Sequence, residues 1–499
     1  MKDVANMRTS GILMPVFSLP SRYGIGCFSK EAYTFVDQLK KSGQRYWQVL
    51  PLGPTSYGDS PYQSFSTFAG NPYFIDLEAL TEEGLLSRSE CEACDFGSGD
   101  RYIDYEEIYL SRFKILKKAF LRSDITKSGS FQNFERENAF WLEDYALYMA
   151  VKGRFGAVSW NEWDDDIRMR EPEAVRRYQV LLAKEIEFYK FIQYTFTQQW
   201  NKLKDYANGS GIRIIGDIPI YVALDSADSW SHPELFQFDE NRTPVAVAGC
   251  PPDCFSATGQ LWGNPLYDWD YHRKTSYAWW IRRMAYCQQI YDVVRVDHFR
   301  GLDEYYSIPF GEPTAENGCW EKGPGLALFQ EMGRRMRKPH IIAEDLGFIT
   351  ESVRKLLSET GFPGMKVLEF AFDSREKSDY MPHNYTRNCV VYTGTHDNDT
   401  VRGWYRDLNP HDKALSVEYM GNEKTEEREI HWDFIRLAMS SVADLAVIPI
   451  QDYLGLGSEA RINTPSTIGK NWRWRLREGE ITPALVKKIA RMTSLYGRC

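Results

Sequence analysis

The sequence predicts an α/β protein: a (β/α)8 TIM barrel with large insertions after strands 2 and 3. Three observations carry that reading. Eight short apolar segments read as buried strands. Amphipathic helical segments fill most of the gaps, and strand–helix–strand order implies parallel pairing. Acidic residues stand where several of these strands end, on the rim where such barrels carry their chemistry.

The elements follow in order. Residues 11–17, bounded by Gly and Pro, read as the first strand. Residues 31–41 put Ala32, Phe35, Val36 and Leu39 on one helix face and stop at Gly43. Residues 46–52 form the second strand. The rhythm then breaks over 53–207, read as a mainly helical insertion. A loop rich in Ser, Pro, Tyr and Gly (53–73) precedes helical patterns at 105–122, 131–154 and 171–207. A strand at 212–218 resumes the alternation, and a second insertion, 220–275, includes a lid loop near 250–264. A helix near 276–290 leads to a strand at 292–297. Strands at 340–344, 365–369, 389–392 and 446–450 complete the set, with helices at 351–360 and 425–443 among the spacers. No repeat, low-complexity tract or interdomain linker interrupts residues 1–499, so one elaborated catalytic domain is expected.

Composition narrows the function. The 499 residues are 43% hydrophobic and 26% charged, ordinary for a folded globular protein. The net charge of −9 excludes a general nucleic-acid binder. No apolar run approaches the ~20 residues that span a bilayer, so no membrane partner is expected. Residues 11–19 contain Pro15 and lead to no small-residue cleavage site, which favours a strand over an export signal. Nine scattered cysteines, an odd number, favour reduced thiols and a cytoplasmic protein. Cys91-x-x-Cys94 lacks a second ligand pair at zinc spacing.

The strand ends carry the chemistry. The third ends near Asp217, the fourth at Asp297 and the fifth at Glu344, while His396 and Asp397 lie just past the seventh. Paired carboxylates suit retaining glycoside chemistry, one as nucleophile and one as acid/base. Carboxylates also bind divalent metals. Arg295, two residues before Asp297 and on the same strand face, favours an ionised nucleophile and opposes a second cation, so no metal is expected. Aromatics make up 14% of the chain, and two loops mix them with amides and hydroxyls: 57–73, and 255–269 with Gln260, Trp262 and Asn264. Aromatic faces stack on sugar rings while polar groups take the hydroxyls.

Seven segments then carry a resemblance: Ser18-Leu-Pro-Ser-Arg-Tyr-Gly-Ile-Gly26, Ser60-Pro-Tyr-Gln-Ser-Phe65, Gly216-Asp-Ile-Pro-Ile-Tyr-Val222, Gly263-Asn-Pro-Leu-Tyr267, Arg295-Val-Asp-His-Phe-Arg-Gly301, Ala343-Glu-Asp-Leu-Gly347 and Gly394-Thr-His-Asp-Asn398. In them the chain resembles the amylomaltases, 4-α-glucanotransferases of glycoside hydrolase family 77 in the α-amylase clan. The resemblance implies Asp297 as nucleophile, Glu344 as general acid and then base, and Asp397 as the stabiliser that grips the donor sugar. It implies substrate-binding roles for Ser60, Tyr62, Asp217, Arg295, His298 and His396 around the donor. Gln260, Trp262 and Asn264 belong to the lid over the acceptor side. The implied partners are α-1,4-glucans and maltooligosaccharides, with glucose as an acceptor and no cofactor, in a monomer or homodimer.

The chain departs from the family within the lid. The common pattern Pro-Pro-Asp-Tyr-Phe-Ser-Glu-Thr-Gly-Gln reads here Pro251-Pro-Asp-Cys-Phe-Ser-Ala-Thr-Gly-Gln260. Cys254 replaces an aromatic and Ala257 a carboxylate, which bears on acceptor preference and the ratio of transfer to hydrolysis. Two alternatives stand beside transfer: a hydrolytic α-glucanase with the same carboxylates, and a non-catalytic glucan-binding protein.

Overall fold

The computed structural model describes residues 8–56, 58–252, 256–337, 339–347, 349–375 and 377–499. Its centre is one sheet of eight parallel strands: β1 (Thr9–Leu13), β2 (Tyr46–Gln48), β3 (Arg213–Pro219), β4 (Val293–Asp297), β5 (Ile341–Ala343), β6 (Gly364–Val367), β7 (Cys389–Tyr392) and β8 (Leu445–Pro449). All eight expected strands are present. The sheet curls until the first strand lies beside the last, with Gly11 opposite Val447.

The β5–β6 junction carries no ladder among the described residues. Two bonds cross it instead. Ala343 N–H donates to the Pro363 carbonyl (2.9 Å), and Met365 N–H donates to the Asp345 carboxylate (2.6 Å). A side chain thus takes the place of a missing strand carbonyl.

Alternation along each strand separates two apolar layers. Leu13, Ile215, Ile342, Met365, Val390 and Val447 fill the barrel interior. Ile12, Ile214, Val294, Val296, Ile341 and Ile448 face outward and join the main core. Helix Lys30–Lys41 buries the expected Ala32, Phe35, Val36 and Leu39 against that layer.

Between β2 and β3 the chain carries long helices at Tyr105–Arg122, Gly129–Arg154 and Ala183–Gly209. Trp141, Tyr145, Tyr148, Trp160, Trp163 and Trp230 pack there as a second core. The helix expected over 171–207 is two, Pro172–Leu181 and Ala183–Gly209. The break at Leu182 turns that side chain into the second core and leaves Val180 and Leu181 exposed. Pro15 ends β1 earlier than expected, and 16–18 become a 3-10 turn.

A four-stranded antiparallel sheet (Ala246–Cys250, Gln260–Pro265, Glu304–Pro309 and Cys319–Lys322) was not expected from the sequence. Its strands come from the segments after both β3 and β4, so only tertiary pairing makes them strands. Among the described residues no helix is long and apolar enough to cross a membrane.

Candidate active site

The site grows out of the barrel interior. Register sets Asp217 of β3 opposite Arg295 of β4, and Asp297 opposite Pro219. The same inward faces bury Ile215 below Asp217 and Ile342 below Glu344. Each of these strands therefore runs from an apolar residue inside the barrel to a polar one at its mouth.

Arg295 is the pivot. Its buried guanidinium donates from Nη1 to both Asp217 oxygens (2.8 and 2.7 Å), and its Nη2 forms an ion pair with Asp297 Oδ1 (3.0 Å). Asp217 is fully buried and also accepts from the Tyr62 hydroxyl (2.9 Å). Its oxygens are therefore committed to holding Arg295 and Tyr62. Asp297 keeps 29% of its side chain exposed.

Glu344 follows β5 and accepts two backbone N–H bonds, from Leu346 on Oε1 (2.7 Å) and from His298 on Oε2 (2.7 Å). His298 adopts a left-handed φ of 52°, and that turn brings its N–H to Glu344. Burial is the largest influence on both Asp297 and Glu344 and lifts both above the usual carboxylate range. Asp297's negative charge lifts Glu344 further, while Arg295 is the main counterweight on Asp297. Of the two, Glu344 holds its proton to the higher pH.

Opposite them stands Asp397, 43% exposed. Asn463 Nδ2 donates to its Oδ1 (2.6 Å), and His396 Nε2 lies 3.3 Å from Oδ2. Burial works against its charge, but His396 and Asn463 outweigh burial and bring Asp397 down to about 2. Burial likewise works against a charged His396, and Asp397 outweighs it, so the imidazole is pushed up. The Tyr62 ring stacks on His396 with 5.1 Å between centroids and leans on Trp472 at 5.8 Å. Ser60 shapes this loop by accepting the Tyr62 N–H (3.3 Å).

On the other side of Asp297, the Trp262 ring meets His298 edge-on at 4.8 Å, and its indole N–H donates to Gln260 Oε1 (3.1 Å). Burial pushes His298 down to about 3, so the ring is neutral, and its buried Nε2 has no partner among the described residues. Asn264 is spent on structure. Its amide donates to the Val222 carbonyl (2.8 Å) and accepts from Gln63 (3.3 Å). Ala257 is exposed in the turn before Gln260, whereas Cys254 lies outside the described residues.

The structure thus gathers Asp297, Glu344, Asp397, Arg295, Asp217, His298, His396 and Tyr62 at one barrel mouth. Sequence reasoning missed Asn463 as a partner of Asp397, and Arg461, which donates to the Asp397 carbonyl (2.6 Å). Both lie after β8 with no motif around them. Among the described residues no group of three or more His, Cys, Asp or Glu side chains could hold a metal ion.

Known proteins resemble the chain over nearly its whole length. The profile of a family described as 4-alpha-glucanotransferase matches residues 14–482. The 4-alpha-glucanotransferase of Clostridium butyricum is 50% identical over 97% of this chain and 100% of its own length. That of Thermus thermophilus is 49% identical over 95% of this chain and 96% of its own. The amylomaltase of Streptococcus agalactiae, solved in complex with acarbose, superposes with a TM-score of 0.95 at 42% identity, covering 98% of this chain and 99% of that one.

Proposed function

The chain belongs to the 4-alpha-glucanotransferase family and is an enzyme of that activity; from that premise we propose that it transfers α-1,4-glucan segments with retention, through a covalent glucosyl-enzyme on Asp297. Donors are maltooligosaccharides and longer α-1,4-glucans, and glucose or another glucan is the acceptor.

In the first step Asp297 attacks the anomeric carbon while Glu344 gives its proton to the departing glycosidic oxygen. In the second, the acceptor's 4-hydroxyl attacks that carbon, Glu344 takes the hydroxyl proton and Asp297 leaves. Two inversions give retention. Asp397 stays ionised and hydrogen-bonds the donor hydroxyls. Tyr62 and His396 wall the donor ring, and His298 offers its unpaired ring nitrogen to a sugar hydroxyl. Residues 53–207 and 220–275 are insertions of the same catalytic domain, and the lid near 250–264 restricts water from the intermediate. Cys27, Cys91, Cys94, Cys287, Cys319, Cys389 and Cys499 carry free thiols, which supports a reducing, cytoplasmic setting.

The observation that carries this reading is the unequal pair. Asp297 and Glu344 share one desolvated mouth, and of these two the Arg295 guanidinium pairs with Asp297 and not with Glu344. Purified protein given maltotriose alone should form glucose plus maltopentaose and longer chains at constant total reducing ends. Rising reducing ends without longer products would make the enzyme a hydrolase and overturn the transfer reading.

A further inference from the structure

Glu369 stands just past β6 and has no part in the cycle above. It is only 7% exposed, and its Oε1 has no hydrogen-bond partner among the described residues. Its carboxyl presses on the segment that carries His396 and Asp397. A Cβ on Gly394 would stand 2.8 Å from Glu369 Oε1, so glycine alone leaves room for that oxygen.

Glu369 is also tied to that segment through its backbone, whose N–H donates to the Thr393 carbonyl (3.2 Å). Asn398 Oδ1 accepts from the Thr395 N–H (2.9 Å) and hydroxyl (2.8 Å), and Thr395 Oγ accepts the Asp397 N–H (3.3 Å). Two further carboxyls hold the same segment. Asp452 accepts from the Thr393 hydroxyl (2.6 Å) and the Val401 N–H (2.8 Å), which ties both ends together. Asp399 accepts from the Ser458 hydroxyl (2.6 Å). The opposing positive charge comes from Arg461, whose own bonds go to the carbonyls of Asn463 and Asp397.

We propose that Glu369 is a positioning residue that acts as a neutral acid, fixing the loop that presents Asp397 to the donor sugar. The inference rests on the reading of Asp397 given above. Two negative charges in one desolvated place cannot both form cheaply. Burial, and then the charges of Asp452 and Asp399, hold the Glu369 proton well above the usual carboxylate range. An ionised Glu369 would repel both carboxylates and loosen the loop.

The test compares Glu369→Gln, Glu369→Ala and Asp397→Asn with the wild-type enzyme on maltotriose. Glu369→Ala should lower kcat roughly tenfold to a hundredfold by misplacing Asp397. Glu369→Gln, which keeps a neutral group of the same shape, should restore most of that loss. If Glu369→Gln is as impaired as Glu369→Ala, the neutral-acid role is overturned. If Asp397→Asn is inactive while Glu369→Ala matches wild type, the positioning role is overturned. If Asp397→Asn itself stays active, the reading of Asp397 is what fails. Melting temperature gives a readout independent of catalysis. The native state keeps a proton that the unfolded chain releases, so rising pH costs the wild type stability that Glu369→Gln does not lose. The Tm gap should widen in favour of Glu369→Gln as pH rises, and a constant gap would overturn the neutral-acid role.

Discussion

Glu344→Gln should lower turnover of maltotriose by about 10²–10⁴-fold while leaving glucan binding intact. Glutamine fills the same space and keeps one of the two backbone N–H bonds, from Leu346 or His298, on its single oxygen, but it has no acidic proton to give. A donor whose leaving group needs no proton, such as a maltosyl fluoride, should bypass the first defect. Cleavage then recovers, and the second step stalls because the base is missing too. Intact-mass measurement should show the protein carrying a glycosyl group on Asp297. The pH profiles follow with signs. Wild-type activity on maltotriose falls at low pH as Asp297 takes a proton, and at high pH as Glu344 loses one. With the fluoride donor, Glu344→Gln keeps the acid limb and loses the alkaline one. Wild-type turnover of maltotriose by this variant would remove Glu344 from the mechanism.

Arg295→Met should abolish transfer and also destabilise the fold. The substitution keeps a side chain beside Met365 but strands Asp217, which is fully buried, without its cation. Breaking a buried ion pair from one side costs about 3–5 kcal/mol. Urea titration measures that loss. Adding Asp217→Asn should return part of the stability, because the stranded charge is gone. It should not return activity, because Asp297 then faces its burial with no guanidinium and holds a proton at neutral pH. Full activity in the double variant would show that Arg295 does not maintain the nucleophile.

Much of the fold was legible because each barrel strand is a compact apolar run of its own, readable without its neighbours. The four-stranded sheet was not. Ala246–Cys250 and Cys319–Lys322 become strands only through the partners that come to lie beside them. The same contrast holds at the site. Asp297 and Glu344 announce themselves by standing at strand ends. Asp217 is equally readable by position, but only the register shows that it faces Arg295 and is consumed by it. Asn463 and Glu369 act through contacts made between distant segments, and nothing beside them in sequence marks those contacts.

The laddered and unladdered junctions divide the labour between the two carboxyls. Asp297, proposed to carry a covalent bond, sits on β4, which has backbone ladders on both sides. Glu344, proposed to pass a proton back and forth, follows β5, whose far edge is held by one carbonyl and one carboxylate. Local opening in a folded protein starts where the fewest backbone bonds must break. Amide deuterium uptake should therefore begin along the 343–365 line and reach β3 and β4 last. On that expectation the barrel opens first at the stave beside the proton carrier, and the stave proposed to bear the sugar opens last.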